Sequence, residues 1–417
     1  MQIQRNSYLK ELILRMNNGL VKVITGIRRC GKSYLLNNIF YNYLLSIGIK
    51  DEQIIKISLD DLENLPLLDA QKLNEYIKSK LVLNKQYYLF LDEIQEVKNF
   101  IPLLNGLMKI SNLDIYVTGS NSKFLSKDII TEFRGRGDQI HVNPLSFREY
   151  FYASNKDFYE ALDEYLTYGG MPFILSRETP KMKMEYLINL YNEIYLKDIK
   201  ERYSIKNDAE LDELLDIVSS SVGSLTNSSK LENTFKSIKN VSISRNTIES
   251  YLNIFEESFL INCSLRYDVK GKKYIGTPKK YYFTDLGLRN ARLHFRQTEK
   301  NHLMENMIYN ELKYRGYLVD IGVVTINEKN ESGAYVRKQT EVDFVVNNGD
   351  KRFYIQSAYE MPSLIKENQE TRPLLNIGDS FKKIVIVNDN ISQKINDQGI
   401  VFIGLKEFLL NDNLLEQ

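Results

Sequence analysis

Residues 26 to 33 read Gly26-Ile27-Arg28-Arg29-Cys30-Gly31-Lys32-Ser33, two glycines bracketing four residues and followed by a lysine and a hydroxyl. That spacing suits an anion cradle. Gly26 and Gly31 permit backbone angles that a Cβ would penalise, so the loop can curl around a phosphate with its N–H groups pointing inward. The N-terminus of a following helix adds to the same field. Lys32 then reaches the β- and γ-phosphates of ATP, Ser33 offers its hydroxyl to Mg²⁺, and Tyr34 ends the binding stretch. A second group lies downstream, where Asp92 and Glu93 follow the run Tyr87-Tyr88-Leu89-Phe90-Leu91. Beside such a loop, Asp92 holds Mg²⁺ through water and Glu93 polarises the attacking water. Ser120 and Asn121 follow a further apolar run, Asp114 to Thr118, and are candidates to contact the γ-phosphate or its water. Arg134 and Arg136 alternate with glycines on the next loop, where they either supply charge to a phosphate or remain solvated.

These groups need elements that bring them together. Leu20 to Thr25 is an alternating apolar run and predicts a strand entering the loop. Leu36, Ile39, Phe40 and Tyr43 recur at helical spacing and predict the helix leaving it. The continuous run before Asp92 predicts a buried parallel strand, with its acids at the C-terminal end where ligands sit in open α/β sheets. A helix over Tyr8 to Met16, a strand over Gln53 to Ile57 and a helix over Gln71 to Leu83 complete an α/β reading.

The length, 417 residues, predicts two or three domains. A net charge of +1 means that any nucleic-acid surface is a local patch. Two cysteines, Cys30 and Cys263, give no disulfide framework. With a polar N-terminus and no apolar run of membrane length, a cytoplasmic protein without a membrane partner is expected.

The loop, together with Leu89-Phe90-Leu91-Asp92-Glu93-Ile94-Gln95, Thr118-Gly119-Ser120-Asn121, Arg134-Gly135-Arg136 and Pro144-Leu145-Ser146-Phe147-Arg148-Glu149-Tyr150, resembles one prokaryotic family. It is the archaeal and bacterial AAA+ ATPase group with a C-terminal domain of unknown function. The likeness continues through Tyr168-Gly169-Gly170-Met171-Pro172 and Lys197-Asp198-Ile199, and covers nearly the whole chain. It implies a sheet in AAA+ strand order, Asp92-Glu93 as Walker B, and the end of the Ile115 strand as sensor 1. It also implies a homo-oligomer in which Arg136, or else Arg134, reaches the neighbouring subunit's nucleotide. Cys30 departs from the pattern, and its oxidation would crowd the site.

Beyond Asp208 the pattern changes. Leu211 to Val222, Lys230 to Phe235 and a run opening at Ser242 predict three helices, the last two a helix-turn-helix. A basic, aromatic-interleaved hairpin follows, from Arg266 to Phe283, with the shape of a wing, and the resembled family carries a winged-helix element here. Arg245, Lys270, Lys272, Lys273, Lys279 and Lys280 are its candidate DNA contacts. Further on, Glu305 on a helix, Asp343 on a strand and Gln356 on the next strand resemble a PD-(D/E)xK nuclease core. Ala358 stands where that core needs a lysine, so the frame is expected to be a degenerate nuclease and a docking surface for a protein partner. The expected layout is an AAA+ P-loop ATPase domain over 1–205, with a lid or linker from about 150. A winged-helix-like domain over 206–295 and a restriction-endonuclease-like α/β domain over 296–417 follow. The expected activity is Mg²⁺-dependent ATP hydrolysis driving a machine or switch, with a protein-docking switch and an ATP-gated nuclease as the alternatives.

Overall fold

A computed structural model describes residues 3–119, 135–205, 207–239, 243–329 and 335–416. Its contacts divide the chain into two units, Met1–Pro144 with Glu257–Phe259, and Leu145–Glu256 with Leu260–Gln417.

The first unit is built on five parallel strands: β1 (Val21–Thr25), β2 (Ile54–Ser58), β3 (Tyr87–Asp92), β4 (Leu113–Thr118) and β5 (Gly137–His141). Their order across the sheet is β2-β3-β4-β1-β5. Every residue of β1, β3 and β4 is buried, as expected of parallel strands covered on both faces. On one face Val21, Val23, Leu89, Leu91, Ile115 and Val117 pack with Leu104 and Leu107. On the other, Phe40 meets Tyr116 at 4.8 Å between centroids and Tyr116 meets Phe90 edge-on at 5.6 Å. Burying side chains of this size contributes about 1.5–3 kcal/mol each. Because β4 lies between β1 and β3, the C-terminal ends of all three abut. The register pairs Ile24 with Thr118 and Leu91 with Val117. The helical stretch after the loop begins at Lys32–Tyr34, widens to a π segment over Leu35–Phe40, and resumes at Tyr41–Ser46.

In the second unit, helices Asp208–Ser220, Ser228–Thr234 and Arg245–Glu257 precede a hairpin of β6 (Ile261–Asp268) and β7 (Lys273–Phe283). That hairpin is not a free wing. β6 pairs in parallel with β8 (Leu318–Lys329), matching Arg266 with Ile321 and Asp268 with Val323. The hairpin is thereby the edge of an eight-stranded sheet ordered β12-β13-β11-β10-β9-β8-β6-β7. The remaining strands are β9 (Tyr335–Asn348), β10 (Lys351–Ala358), β11 (Lys382–Val387), β12 (Lys394–Ile395) and β13 (Val401–Gly404). A backbone ladder therefore runs across residues 295 and 296, where the sequence suggested separate modules.

The pair Gly169-Gly170 has a structural role in this unit. Asp285 caps helix Leu286–Arg292, accepting the Leu288 N–H at 3.0 Å, and also accepts the Gly170 N–H at 2.7 Å. Gly169 sits at φ +70°, and a Cβ there would lie 2.3 Å from Asp285 Oδ1. Burial pushes the Asp285 carboxyl from the ordinary 3.8 up to about 6, against the pull of its backbone N–H donors. The folded chain therefore holds this proton more tightly than the unfolded chain. The stability linked to it is full below about pH 4 and is lost as pH rises through about 6. Asp285→Asn should abolish that dependence. In urea titrations, the unfolding free energy of wild type relative to the variant should fall by about 3 kcal/mol between pH 4 and pH 7. Parallel pH curves for the two proteins would refute the assignment.

Candidate nucleotide-binding site

The loop between β1 and the following helix is moulded from below by the chain leaving β5. The Val142 N–H donates to Thr25 O at 2.7 Å, and the Cys30 thiol donates to Val142 O at 3.2 Å. Gly26 lies over the same carbonyl at φ +141°, where a Cβ would come within 2.1 Å of Val142 O. Gly31, at φ +102°, turns the chain into the helix. Arg5 is buried beside them, donating to Cys30 O at 3.3 Å and Asn143 O at 2.6 Å, with its guanidinium 4.7 Å from the Tyr8 ring centroid. Cys30 thus faces the floor of the loop, buried in the core. Arg28, Arg29 and Tyr34 are exposed, while Ile27 is buried.

Lys32 is only 4% exposed. Its ammonium donates to Gly26 O at 3.0 Å and Ile27 O at 3.1 Å, and among the described residues no carboxylate lies within ion-pairing distance of it. A buried ammonium without a counter-charge is costly. This one lies along a loop whose backbone geometry suits an anion.

Asp92 ends β3 and is buried. Its carboxylate accepts a hydrogen bond from the Thr118 hydroxyl, and the Ser33 hydroxyl acts on it as well. Burial holds its pKa above the usual aspartate value, and those two hydroxyls oppose the shift. Glu93 follows in the left-handed region at φ +53°. Its N–H donates to Thr118 Oγ1 at 3.1 Å, and its side chain accepts from Gln95 Nε2. Thr118, the last residue of β4, therefore links both acids. The sequence reading looked past the end of that strand, to Ser120 and Asn121. Those two residues and Arg134 lie outside the described residues. Two further contacts complete the strand ends, Thr25 Oγ1 with His141 Nδ1 at 3.2 Å and Gln139 Nε2 to Thr25 Oγ1 at 3.2 Å.

Arg136 is exposed just before β5, its carbonyl accepting the Val21 N–H. It thus sits at the N-terminal edge of the sheet, roughly 16 Å of strand from the loop at the other end.

In the second unit the predicted contacts divide. Lys270, Lys272 and Lys273 are exposed around the β6–β7 turn, and Lys279 is half-buried. Arg245 is exposed and pairs with Glu232 at 2.6 Å. Lys280 departs from the expectation of a DNA contact. It is 3% exposed and faces inward, bonded to Glu305 at 2.9 Å and Glu341 at 2.6 Å. Glu305 Oε1 also accepts from Tyr282 OH at 2.7 Å. Asp343 accepts from the Ser357 N–H at 2.8 Å, and Gln356 bridges the Asp343 N–H and Glu370. Glu305, Asp343 and Gln356 thus lie in one cluster with Lys280, which sequence spacing did not connect to them.

An AAA domain model matches residues 18–151, and a model of a domain of unknown function (DUF8612) matches residues 159–299. An uncharacterized protein of Haemophilus influenzae is 34% identical over 414 residues, covering 98% of each chain. Another, from Methanocaldococcus jannaschii, is 30% identical over 423 residues, covering 96% of this chain and 88% of its own. Among solved structures, the Aeropyrum pernix ORC2 protein in its ADP form covers 74% of this chain and 95% of its own, at 10% identity and a TM-score of 0.35. AMPPCP-bound DnaA from Aquifex aeolicus covers 61% and 88%, at 15% identity and a TM-score of 0.28. Structural likeness at that level carries no argument about function. The fold and the site define an α/β protein with an AAA+ P-loop NTPase domain. The chain belongs to the family of the H. influenzae and M. jannaschii proteins.

Thr118→Val should remove the hydroxyl that serves Asp92 and the Glu93 N–H together. Leaving buried groups unsatisfied costs about 1–3 kcal/mol, so thermal unfolding should shift down, and Thr118→Ser should recover most of the loss. Equal melting of the valine variant and wild type would show that Thr118 does not hold the junction.

Proposed function

We propose that this chain binds ATP with Mg²⁺ at the β1 loop, hydrolyses it, and works as an AAA+ machine or switch. The observation that carries the reading is the pairing of two buried, complementary charges with neutral partners. Lys32 is held by carbonyls and Asp92 by hydroxyls. A nucleotide's β- and γ-phosphates would supply the anion that Lys32 lacks, with the loop N–H groups as further donors. Ser33 and Asp92 would hold the Mg²⁺, whose role when bound is to neutralise charge on the transferred phosphoryl group. Glu93 orients and polarises the attacking water, with Gln95 holding its side chain until then. Arg136 lies too far along the sheet to serve its own subunit's phosphates, so its role is that of a finger toward a neighbour in a homo-oligomer.

Calorimetry and a phosphate-release assay test this together. Lys32→Ala should lose measurable ATP binding. Glu93→Gln should bind ATP normally and turn it over at least a hundred-fold more slowly, the scale of general-base removal at roughly 10²–10⁴. Specific activity should rise with protein concentration in wild type and stay flat and low in Arg136→Ala. Near-normal ATP affinity in Lys32→Ala would sink the site, and wild-type turnover in Glu93→Gln would sink the role of Glu93.

Exposed Lys270, Lys272 and Lys273, beside the 61%-exposed Tyr274, favour association with DNA as a second reading. Phosphate contacts release counterions, so log K falls with log salt by roughly 0.9 per phosphate neutralised. Replacing the three lysines with alanine should reduce that slope by roughly 3 in a gel-shift salt series. An unchanged slope, or no binding by wild type at low salt, would leave the hairpin without this role.

A further inference from the structure

The C-terminal acids look like a divalent-cation site until the charges around them are followed. Glu305 comes from helix Lys300–Tyr314, Glu341 and Asp343 from β9, and Gln356 from β10. A PD-(D/E)xK frame would place Mg²⁺ among them. The ammonium of Lys280, on β7, already bridges Glu305 and Glu341. We infer that Lys280 is the resident cation of this cluster: its ammonium stands where a divalent ion would, and the carboxylates form a partly buried ion-pair joint instead of a metal site.

Three observations make the metal a poor fit. Mg²⁺ requires near-octahedral oxygen ligation and keeps several of its waters. Here the Glu305 carboxylate is enclosed, with Lys280 Nζ and Tyr282 OH both on Oε1. A Cβ added at Gly223 would lie only 3.2 Å from that same oxygen. Asp343 is 7% exposed, and one of its oxygens is committed to the Ser357 N–H. Gln356 offers its carbonyl oxygen to the Asp343 N–H and its amide to Glu370, which fixes the orientation of its side chain.

The joint also has a mechanical meaning. Lys280 and Tyr282 fall on one face of β7 and meet the same Glu305 oxygen. The next residue, Phe283, exchanges backbone bonds with Asn306, its N–H reaching Oδ1 and its carbonyl accepting from Nδ2, both at 2.9 Å. Hairpin β6–β7 is fixed to helix Lys300–Tyr314 by charge and by hydrogen bonds, on top of the β6–β8 ladder. The inference stands apart from the nucleotide site and does not depend on it.

The test uses the full chain without nucleotide. Mn²⁺ is titrated by electron paramagnetic resonance into wild type and Asp343→Asn, and thermal unfolding is followed in EDTA and in Mn²⁺. Wild type and Asp343→Asn should bind the same amount of Mn²⁺. Lys280→Ala, which leaves Glu305 and Glu341 facing each other unpaired, should melt lower by on the order of 10 °C in EDTA. It should regain part of that loss in Mn²⁺, while wild type gains less. Mn²⁺ bound by wild type and lost in Asp343→Asn would overturn the inference. So would Mn²⁺-dependent plasmid cleavage abolished by Asp343→Asn, which would make Lys280 a catalytic lysine. A Lys280→Ala protein that melts with wild type would overturn it as well. The wild-type titration decides the question even where Lys280→Ala fails to fold.

Discussion

A single backbone carbonyl, that of Val142, sets the floor of the β1 loop. Gly26 passes so close above it that no side chain fits, and the Cys30 thiol donates to it. The neighbouring Val142 N–H closes onto Thr25 O, and Arg5 ties Asn143 O to Cys30 O. Two consecutive residues after β5 therefore hold both ends of the loop, and the N-terminal helix reaches the same floor through Arg5 and Tyr8. Within the loop's curvature the buried Lys32 ammonium rests on Gly26 O and Ile27 O. Everything chemical at the site depends on that curvature, because a flatter loop would neither orient donors nor leave the lysine without a carboxylate partner.

The local parts of this arrangement were legible in the sequence, and the non-local parts were not. The glycine spacing from Gly26 to Gly31 is a local backbone requirement, and the run before Asp92 is a local burial pattern, so both could be read directly. Thr118 was harder. Its hydroxyl matters because β4 lies between β1 and β3, and strand order is a property of the whole sheet. As a buried threonine ending an apolar run, it was nevertheless the one polar side chain on that strand near its C-terminal end. Arg5 gave no local signal, since its partners are 25 and 138 residues away.

In the second unit the hairpin was readable and its placement was not. Alternation predicted β6 and β7, but nothing between residues 261 and 283 announces a parallel partner at β8. The sequence reading therefore drew a module boundary where the structure has a continuous ladder. Lys280 was grouped with its basic neighbours by proximity along the chain. The period of a strand separates it from Lys279 and sets it beside Tyr282, which belongs to a run of buried aromatics. An inward lysine needs anions, and the acids of the nuclease-like frame were the ones to look for.

The two buried lysines show how charge distinguishes a site from a joint. Lys280 meets two carboxylates, and Glu305 also accepts from Tyr282, so this ammonium already has its counter-charges within the fold. Lys32, at the start of the helix after β1, meets carbonyls alone, and Asp92, at the end of β3, meets the Thr118 hydroxyl. Carbonyls and hydroxyls orient a charge without cancelling it. Desolvating an ammonium and a carboxylate with only dipoles to hold them costs stability that the fold must find elsewhere. Burial alone does not separate these cases, since Lys32 and Lys280 are 4% and 3% exposed. What differs is the identity of the partners, and that difference is the ground for proposing a ligand at the β1 loop and a structural cross-link among the C-terminal acids.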